Sequence, residues 1–307
     1  MRNVTCVGSI LAALMVAGCG GGGGGSSAGL NSTPAAPSIS KSTSLLNVTQ
    51  NDEFAASIAA GRGTYSNSGL AITSNATLSN TTVRYDSATK GYSIETLPIS
   101  TATKPSFTDS NKLLSSNAIL TAYGKTTGTR DDQLYLFNPG SGNPTLALTY
   151  ASYGAWLSID DRNTSADVTI AYFAFGTRTS SADMPRSGSA SYTTTLDGSF
   201  VDSSGIYALS GSSSFSADFG ANSVSVAASP FGVNALDGST RNFGSFNGNG
   251  TIDSNAAQFN IPSVGSNGYT FAMKGHFYGP SAAEMGGVFS LNGNAGTGMG
   301  AIVGKKN

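Results

Sequence analysis

The stretch from Lys274 to Gly293, KGHFYGPSAAEMGGVFSLNG, holds the side chains best suited to chemistry, including the only histidine of the chain. An imidazole can ligate a metal or haem, or transfer a proton near neutral pH. Period-two alternation places His276 on the side of a strand opposite Phe271 and Met273, and therefore at the surface. A single exposed histidine without a second histidine or cysteine predicts a surface residue; an axial-ligand role is the alternative.

The two cysteines of the chain lie near its start. Arg2 is followed by an apolar run of signal-peptide length that ends in MVAGCG, which has the small residues and cysteine of a bacterial lipobox. The sequence predicts a signal peptide (1–18) and a lipidated, palmitate-bearing Cys19; an ordinary secretory signal with a stray cysteine is the alternative. Gly20 carries no inner-membrane retention signal, so we expect the outer membrane. Cys6 would leave with the signal peptide, which excludes disulfides and thiolate metal sites from the mature chain.

Three further motifs match known catalytic or ligand-binding sequence patterns only in part. GTGMGA at Gly296–Ala301 fits G-x-G-x-x-A, but no helix can follow it, so it predicts a glycine-rich turn into a final strand. Ser38–Lys41 and Ser87–Lys90 fit S-x-x-K without the helix that presents such a pair. GNGTID resembles one unit of a calcium-binding repeat without the other units. We therefore expect no catalytic residue, no metal site and no cofactor, and the chain is predicted not to be an enzyme.

The composition is that of an exported protein with few charges. Charged residues make up 11% of the chain, and glycine contributes 40 residues. The absence of any run of lysine or arginine makes nucleic acid an unsuitable partner. The Gly/Ser/Pro-rich segment 19–44 offers almost nothing to bury, and it predicts a tether between the lipid and a folded body.

Periodicity predicts strands along most of the folded body. One helix is expected in TQNDEFAASIAAG, with Asn51 as cap, Phe54 and Ile58 four apart, and Gly61 as stop. Elsewhere the period is two, and ASYGAWLSI followed by DVTIAYFAFG predicts a hairpin. Asp197–Gly198 is interpreted as a turn.

The second half of the chain alternates apolar residues with Ser, Thr, Gly and Asn at barrel or sandwich spacing. The polar faces are too hydrophilic for a membrane-spanning barrel, so the barrel is expected to be soluble. We predict about eight antiparallel strands from about residue 185 to 307. The expected core includes Phe215, Phe219, Val226, Phe271 and Phe289.

The segment GHFYGPSAAEMGGVFSL resembles the closing signature of the β-barrel in transferrin-binding protein B and related surface lipoproteins. ADMPRSGSASYTTTLDG (182–198) looks like the segment that opens that barrel, and SADFGANSVSV looks like its internal hairpin. The resemblance covers the chain from residue 182 onward. The motif consists of a glycine, an aromatic pair, Gly-Pro, a glutamate, a glycine pair and an aromatic: Gly275, Phe277, Tyr278, Gly279, Pro280, Glu284, Gly286, Gly287 and Phe289.

The resemblance implies an all-β, mainly antiparallel protein, in which a β-rich handle (45–181) precedes a soluble eight-stranded β-barrel (182–307). It also implies a lipid-anchored outer-membrane protein, exposed at the cell surface, that binds a host iron-carrying or haem-linked protein beside a TonB-dependent receptor. Transferrin-binding protein B itself carries two handle–barrel units, whereas this chain is expected to carry one, so the ligand need not be transferrin. A structural or host-interaction lipoprotein without an iron or haem role is the alternative. The handle is the expected contact region, with the loop tip Lys125–Asp132 as a contact.

The residues of the motif themselves predict a corner of the fold. Phe277 would close a core strand, and Pro280 could begin a helical turn because its missing N–H costs nothing there. Glu284 is expected within that turn, Gly286 at its left-handed exit, and Phe289 back in the core. The motif is therefore interpreted as structural.

Overall fold

A computed structural model describes residues 42–66, 69–99, 104–294 and 296–307, which form two antiparallel β-sheets. The first sheet has the strand order β4-β3-β2-β1-β8-β7-β6-β5. Its strands are β1 Asp52–Ser66, β2 Gly69–Asp86, β3 Gly91–Ile94, β4 Ser106–Phe107, β5 Leu120–Thr127, β6 Arg130–Phe137, β7 Ala151–Asp161 and β8 Ser165–Gly176. A single 3₁₀ turn, Asp109–Asn111, follows β4.

The second sheet closes into a barrel. Its strands are β9 Ser189–Asp202, β10 Gly205–Asp218, β11 Ser223–Asn234, β12 Thr240–Asn242, β13 Phe246–Asp253, β14 Gln258–Ser266, β15 Tyr269–Tyr278, β16 Glu284–Gly293 and β17 Gly296–Lys306. The order is β10-β9-β17-β16-β15-β14-β13-β11, and pairing of β10 with β11 completes a ring of eight strands. The short β12 is attached to β11 outside the ring. The all-β fold and the eight-stranded barrel are confirmed.

The interior of the barrel is filled by aromatic and aliphatic side chains. All five predicted core residues are buried there. Phe271 stacks between Phe246 and Phe289, with ring centroids 5.4 and 5.3 Å away. Because close-packed rings occupy the centre, the barrel is a packed core without an open channel.

The first sheet is buried on both faces. One face packs on the outside of the barrel: Tyr153, Leu157 and Ile159 of β7 join a cluster that includes Val288 and Val303 of the barrel. The other face encloses a second cluster around Trp156 and Phe173. The two-sided burial explains why these strands carry long apolar runs.

The two edges of the first sheet approach one another because the sheet is strongly curled. Tyr92 of β3 lies 6.5 Å from the ring of Tyr123 of β5, and Phe107 of β4 lies 6.2 Å from it. These contacts join strands at opposite ends of the strand order. The first sheet therefore forms a half-barrel around its own aromatic core.

Three local predictions from the sequence need correction. The segment predicted as a helix is strand β1, in which Phe54 and Ile58 face the aromatic core. Asp197–Gly198 lies inside β9, and the chain turns instead after Asp202. The motif at Gly296–Ala301 is part of β17 itself. The predicted hairpin of β7 and β8 is confirmed. None of the helical segments in the described ranges has the length and apolar character needed to cross a membrane.

Candidate ligand-binding surface and the junction that supports it

The signature segment forms the corner between β15 and β16. A 3₁₀ turn, Pro280–Ala282, connects the two strands, as Pro280 predicts. Glu284 lies at the start of β16 and not in the turn. The left-handed residues are Gly279 (φ 72°), Ser281 (φ 53°) and Ala282, whereas Gly286 lies within the strand. The predicted positions of Glu284 and Gly286 were therefore wrong.

Gly279 is required by both conformation and space. Its positive φ favours glycine, and a Cβ at this position would lie 2.3 Å from Cδ2 of Tyr150. Gly275 and Gly287 are paired on β15 and β16, and a Cβ on Gly275 would lie 2.3 Å from the Phe259 ring. Gly279 therefore lets the corner approach the start of β7, whereas Gly275 and Gly287 make room for the Phe259 ring inside the barrel.

Glu284 joins the barrel to the first sheet. Its buried carboxylate accepts hydrogen bonds from the backbone N–H groups of Thr149 (2.7 Å), Tyr150 (2.8 Å) and Ala151 (2.8 Å). Burial raises the pKa of Glu284, and the three N–H donors partly offset that effect. The carboxylate therefore fixes the start of β7 on the barrel.

Two tyrosines of the first sheet bond to the barrel wall. The Tyr153 hydroxyl donates to Asp197 at 2.7 Å, and the Tyr172 hydroxyl lies 2.9 Å from Oγ of Ser199. All four residues are buried. Burial raises the pKa of Asp197 to about 7, although the hydrogen bonds from Tyr153 and from the Gly198 backbone lower it. Asp197 thus titrates between the two sheets close to neutral pH.

We expect the stability of the protein to fall as pH rises from about 4 to about 7, because Asp197 keeps its proton longer in the folded state than in the unfolded state, where its pKa is 3.8. The Asp197→Asn variant should lose this slope and exceed the wild type at pH 8 by about 2 kcal/mol, since water penetration reduces the full cost of a buried charge. Urea unfolding at pH 4.5 and pH 8 measures both quantities. An unchanged slope in Asp197→Asn would exclude Asp197 as its source.

His276 is buried, contrary to the predicted surface position, with an exposed fraction of only 1%. The strand parity was right, since the side chain points away from the barrel core, but β1 covers that face. Nδ1 of His276 lies 3.2 Å from Oγ of Ser57. Burial, and then the charges of Arg178 and Lys274, lower the pKa of His276 to about 3. The imidazole is therefore neutral at physiological pH.

The first sheet carries an open groove of about 720 Å³ at the end where β1 begins. Tyr85 and Tyr92 lie side by side along it, with ring centroids 5.1 Å apart. Arg84 spans the groove between Glu53 (2.9 Å) and Glu95 (3.7 Å). The groove offers aromatic surface and both signs of charge, which suits contact with a polypeptide surface.

A second feature is an exposed apolar pair on the loop before β5. Leu114 is fully exposed and Leu113 is 38% exposed. The loop is held in place because the Leu113 N–H donates to the Ala122 carbonyl at 2.8 Å and the Ser116 hydroxyl donates to the Leu113 carbonyl. We call residues 112–117 the Leu loop. Leu113 packs over Gly124 of β5, so the Leu loop lies beside the β5–β6 hairpin.

The tip of the β5–β6 hairpin is shorter than the sequence suggested. Asp132 is buried, where it accepts from Nε1 of Trp156 at 3.1 Å and from Arg130 at 2.9 and 2.6 Å. The exposed tip is therefore 126–131, and Lys125 lies 5.0 Å from the centre of the Phe107 ring. Two adjacent leucines between polar residues were the available sequence signal for the Leu loop. The groove depends on strand pairing and had no such signal.

Cys19 lies outside the described residues. Within the described ranges, no group of three or more His, Cys, Asp or Glu side chains is arranged to hold a metal ion.

Comparison with known proteins matches residues 184–306 to the family model described as the C-lobe and N-lobe beta barrels of Tf-binding protein B. A comparison with curated proteins finds no match. Similar solved structures include transferrin-binding protein B variants from Haemophilus parasuis (13% identity, 82% of this chain and 76% of that chain, TM-score 0.42) and Actinobacillus pleuropneumoniae (12%, 83% and 99%, 0.38). The N-lobe of lactoferrin-binding protein B from Moraxella bovis is also similar (13%, 85% and 100%, 0.33).

The family assignment rests on the sequence match of the barrel, because the structural similarities are distant. The matched segment begins just before β9 and ends with β17, so it spans every strand of the ring. It also contains the corner with Pro280 and Glu284. The part of the chain that builds the barrel, residues 184–306, therefore belongs to the family of transferrin-binding protein B barrels.

Proposed function

We propose that this chain is a surface-exposed, lipid-anchored outer-membrane protein that binds a macromolecular ligand and performs no chemistry itself. The observation that carries the proposal is the exposed Leu loop on the first sheet of a chain whose barrel belongs to a binding-protein family. In this proposal Cys19 carries the lipid, 19–44 is the tether, 45–181 is the handle and 182–307 is the barrel. Transferrin and lactoferrin, named for the relatives, and haem-linked proteins are the candidate ligands, and a TonB-dependent receptor is a candidate partner.

The Leu loop presents two adjacent apolar side chains to solvent. Leu113 and Leu114 present apolar surface, and Lys125 of the neighbouring β5 adds a cation. Exposed leucines are unfavourable in water, and here they lie on a loop whose backbone is hydrogen-bonded. The apolar pair is thus presented in a defined conformation, which lowers the entropic cost of binding.

We expect the Leu113→Ser/Leu114→Ser variant to bind its ligand at least about tenfold more weakly, because two apolar anchors are lost. The measurement is biolayer interferometry with the immobilised mature chain, carrying Cys19→Ser, against transferrin, lactoferrin and haemoglobin as probes. The matched control is Leu236→Ser, which removes an exposed leucine from the barrel rim. Failure of all three probes to bind the parent chain would favour the structural-lipoprotein alternative. If the double variant bound with the same affinity as the parent chain, the contact region would lie outside the Leu loop.

The hairpin tip offers a second test of the same surface. Removing Lys125–Asp132 as a block would unfold the protein locally, because Asp132 holds Trp156. Replacing Thr127 alone with glutamate keeps the hairpin, because the Thr126 and Thr129 hydroxyls still donate to Asp131 and Asp160, while it changes the exposed face. We expect weaker ligand binding and a thermal melt within a few degrees of the parent chain.

The lipid anchor is tested separately. Cys19→Ser should release the protein from membranes or stall its processing, because the thiol is the predicted lipid acceptor. Mass spectrometry that finds an unmodified Cys19 in the wild-type product would contradict this part of the proposal.

A further inference from the structure

A row of polar side chains lies on the outer face of the barrel, at the edge of the contact with the first sheet. Lys274, His276 and Tyr278 alternate along β15 with residues of the barrel core. Gln258 pairs with His276 across β14, and Arg178 forms an isolated bridge with Tyr278 beyond the end of that strand. Because paired residues of antiparallel strands point to the same side, all five side chains leave the same face.

The first sheet covers this row with two polar residues that are themselves paired, Ser57 of β1 and Asn80 of β2. Ser57 contacts His276, and the Asn80 amide lies 3.5 Å from the Gln258 side-chain oxygen. Two atoms there are buried without a partner: Nη1 of Arg178, which is a donor, and Oδ1 of Asn80, which is an acceptor. Because no protein group accepts from this guanidinium N–H, a bound anion that accepted from it would be favoured.

The charges of the cluster are also unbalanced. Across the described part of the chain, no carboxylate oxygen lies within 4.0 Å of the cationic nitrogens of Arg178 or Lys274. The Asp253 carboxylate acts on Arg178 only at longer range, and it accepts from the backbone N–H groups of Asn255 and Ala256. Burial lowers the pKa of Lys274 as well. Two cations and a neutral imidazole therefore share one face without a counter-ion.

We propose that Arg178 and Lys274 bind an oxyanion, a phosphate or a carboxylate, beside His276 on the outer face of the barrel. The anion oxygens would accept from Nη1 of Arg178 and from the Lys274 ammonium, with charge-assisted hydrogen bonds. A hydroxyl on the same ligand, as in hydrogen phosphate, would donate to Oδ1 of Asn80. This site is separate from the Leu loop, and it does not depend on the proposed ligand of the first sheet.

The single histidine provides the readout, because one imidazole gives one set of resonances. Inorganic phosphate is titrated to about 20 mM into ¹⁵N-labelled mature chain carrying Cys19→Ser, with sodium chloride of equal ionic strength as control. We expect a saturable shift of the His276 imidazole nitrogens with phosphate and none with chloride. Acetate is the second probe: a saturable shift with acetate alone would identify the ligand as a carboxylate.

Arg178→Gln and Lys274→Gln should each weaken the binding at least about tenfold, since each removes one charge-assisted contact. Arg186→Gln is the matched control, because Arg186 is an exposed guanidinium on the same connection that bonds to the Ser181 carbonyl. A thermal melt confirms that each variant is folded, and Lys274→Arg, which keeps the cation, should restore binding. Absence of a saturable shift with both anions, or an undiminished shift in the Arg178→Gln/Lys274→Gln double variant, would overturn the proposal.

Discussion

Replacing Glu284 with alanine is expected to lower the free energy of unfolding by about 5 kcal/mol. The substitution leaves three backbone N–H groups, those of Thr149, Tyr150 and Ala151, without their acceptor at the base of β7. Each unsatisfied buried donor costs about 1–3 kcal/mol. The substitution also removes the carboxylate by which the signature corner is hydrogen-bonded to the first sheet.

Urea unfolding monitored by fluorescence of Trp156, the single tryptophan, measures this loss within the first sheet. Far-UV circular dichroism reports both sheets. Glu284→Gln is the conservative control, because it keeps one side-chain oxygen, and it should lose about half as much as Glu284→Ala. A loss below about 1 kcal/mol in Glu284→Ala would mean that these hydrogen bonds do not hold the two sheets together.

Phe271→Ala is expected to lower the free energy of unfolding by about 3–5 kcal/mol, because it leaves a cavity in a close-packed aromatic stack. Phe271 is fully buried between Phe246 and Phe289, and the barrel ring cannot contract to fill the space. The matched control is Phe231→Ala, since Phe231 is 39% exposed on the barrel and should cost less than about 1 kcal/mol. A loss in Phe271→Ala as small as that of Phe231→Ala would contradict the core position of this ring.

The barrel could be predicted well from the sequence because each of its strands has one apolar and one polar face. Phe215, Phe271 and Phe289 alternate with small or polar residues, so a period of two is visible. The ring closure and the corner at Pro280 followed from the resemblance to a known family. Local pattern and family signature therefore led to the same architecture.

The first sheet was harder to predict because both of its faces are buried. In β1, Phe54 and Ile58 face the aromatic core, whereas Ala59, next to Ile58, faces the barrel side. A strand buried on both faces reads as a continuous apolar run, and residues four apart share a face in a helix as well as in a strand. The cap residue Asn51 and the stop residue Gly61 then favoured the helix.

The polar residues of the junction were misread for a related reason. Asp197–Gly198 has the composition of a turn, yet Asp197 bonds to Tyr153 of another sheet and a Cβ on Gly198 would lie 2.6 Å from the Met299 carbonyl oxygen. The position of His276 on the strand was predicted correctly, but its burial depends on Ser57, which is 219 residues away. Sequence periodicity shows which face a residue occupies and contains no information about what covers that face.

The pairing of β17 with β9 has a consequence for the order of events during folding. Each residue of β17 pairs with a partner about one hundred residues earlier, so ring closure depends on contacts of high sequence separation, which form slowly. Until β17 arrives, β9 and β16 both present unpaired edges, which are prone to association with other chains. The packing of the first sheet also depends on β17, because Met299, Ala301 and Val303 of β17 cover its barrel-facing side. The first sheet precedes the barrel in the chain, yet it completes its packing only once β17 has paired.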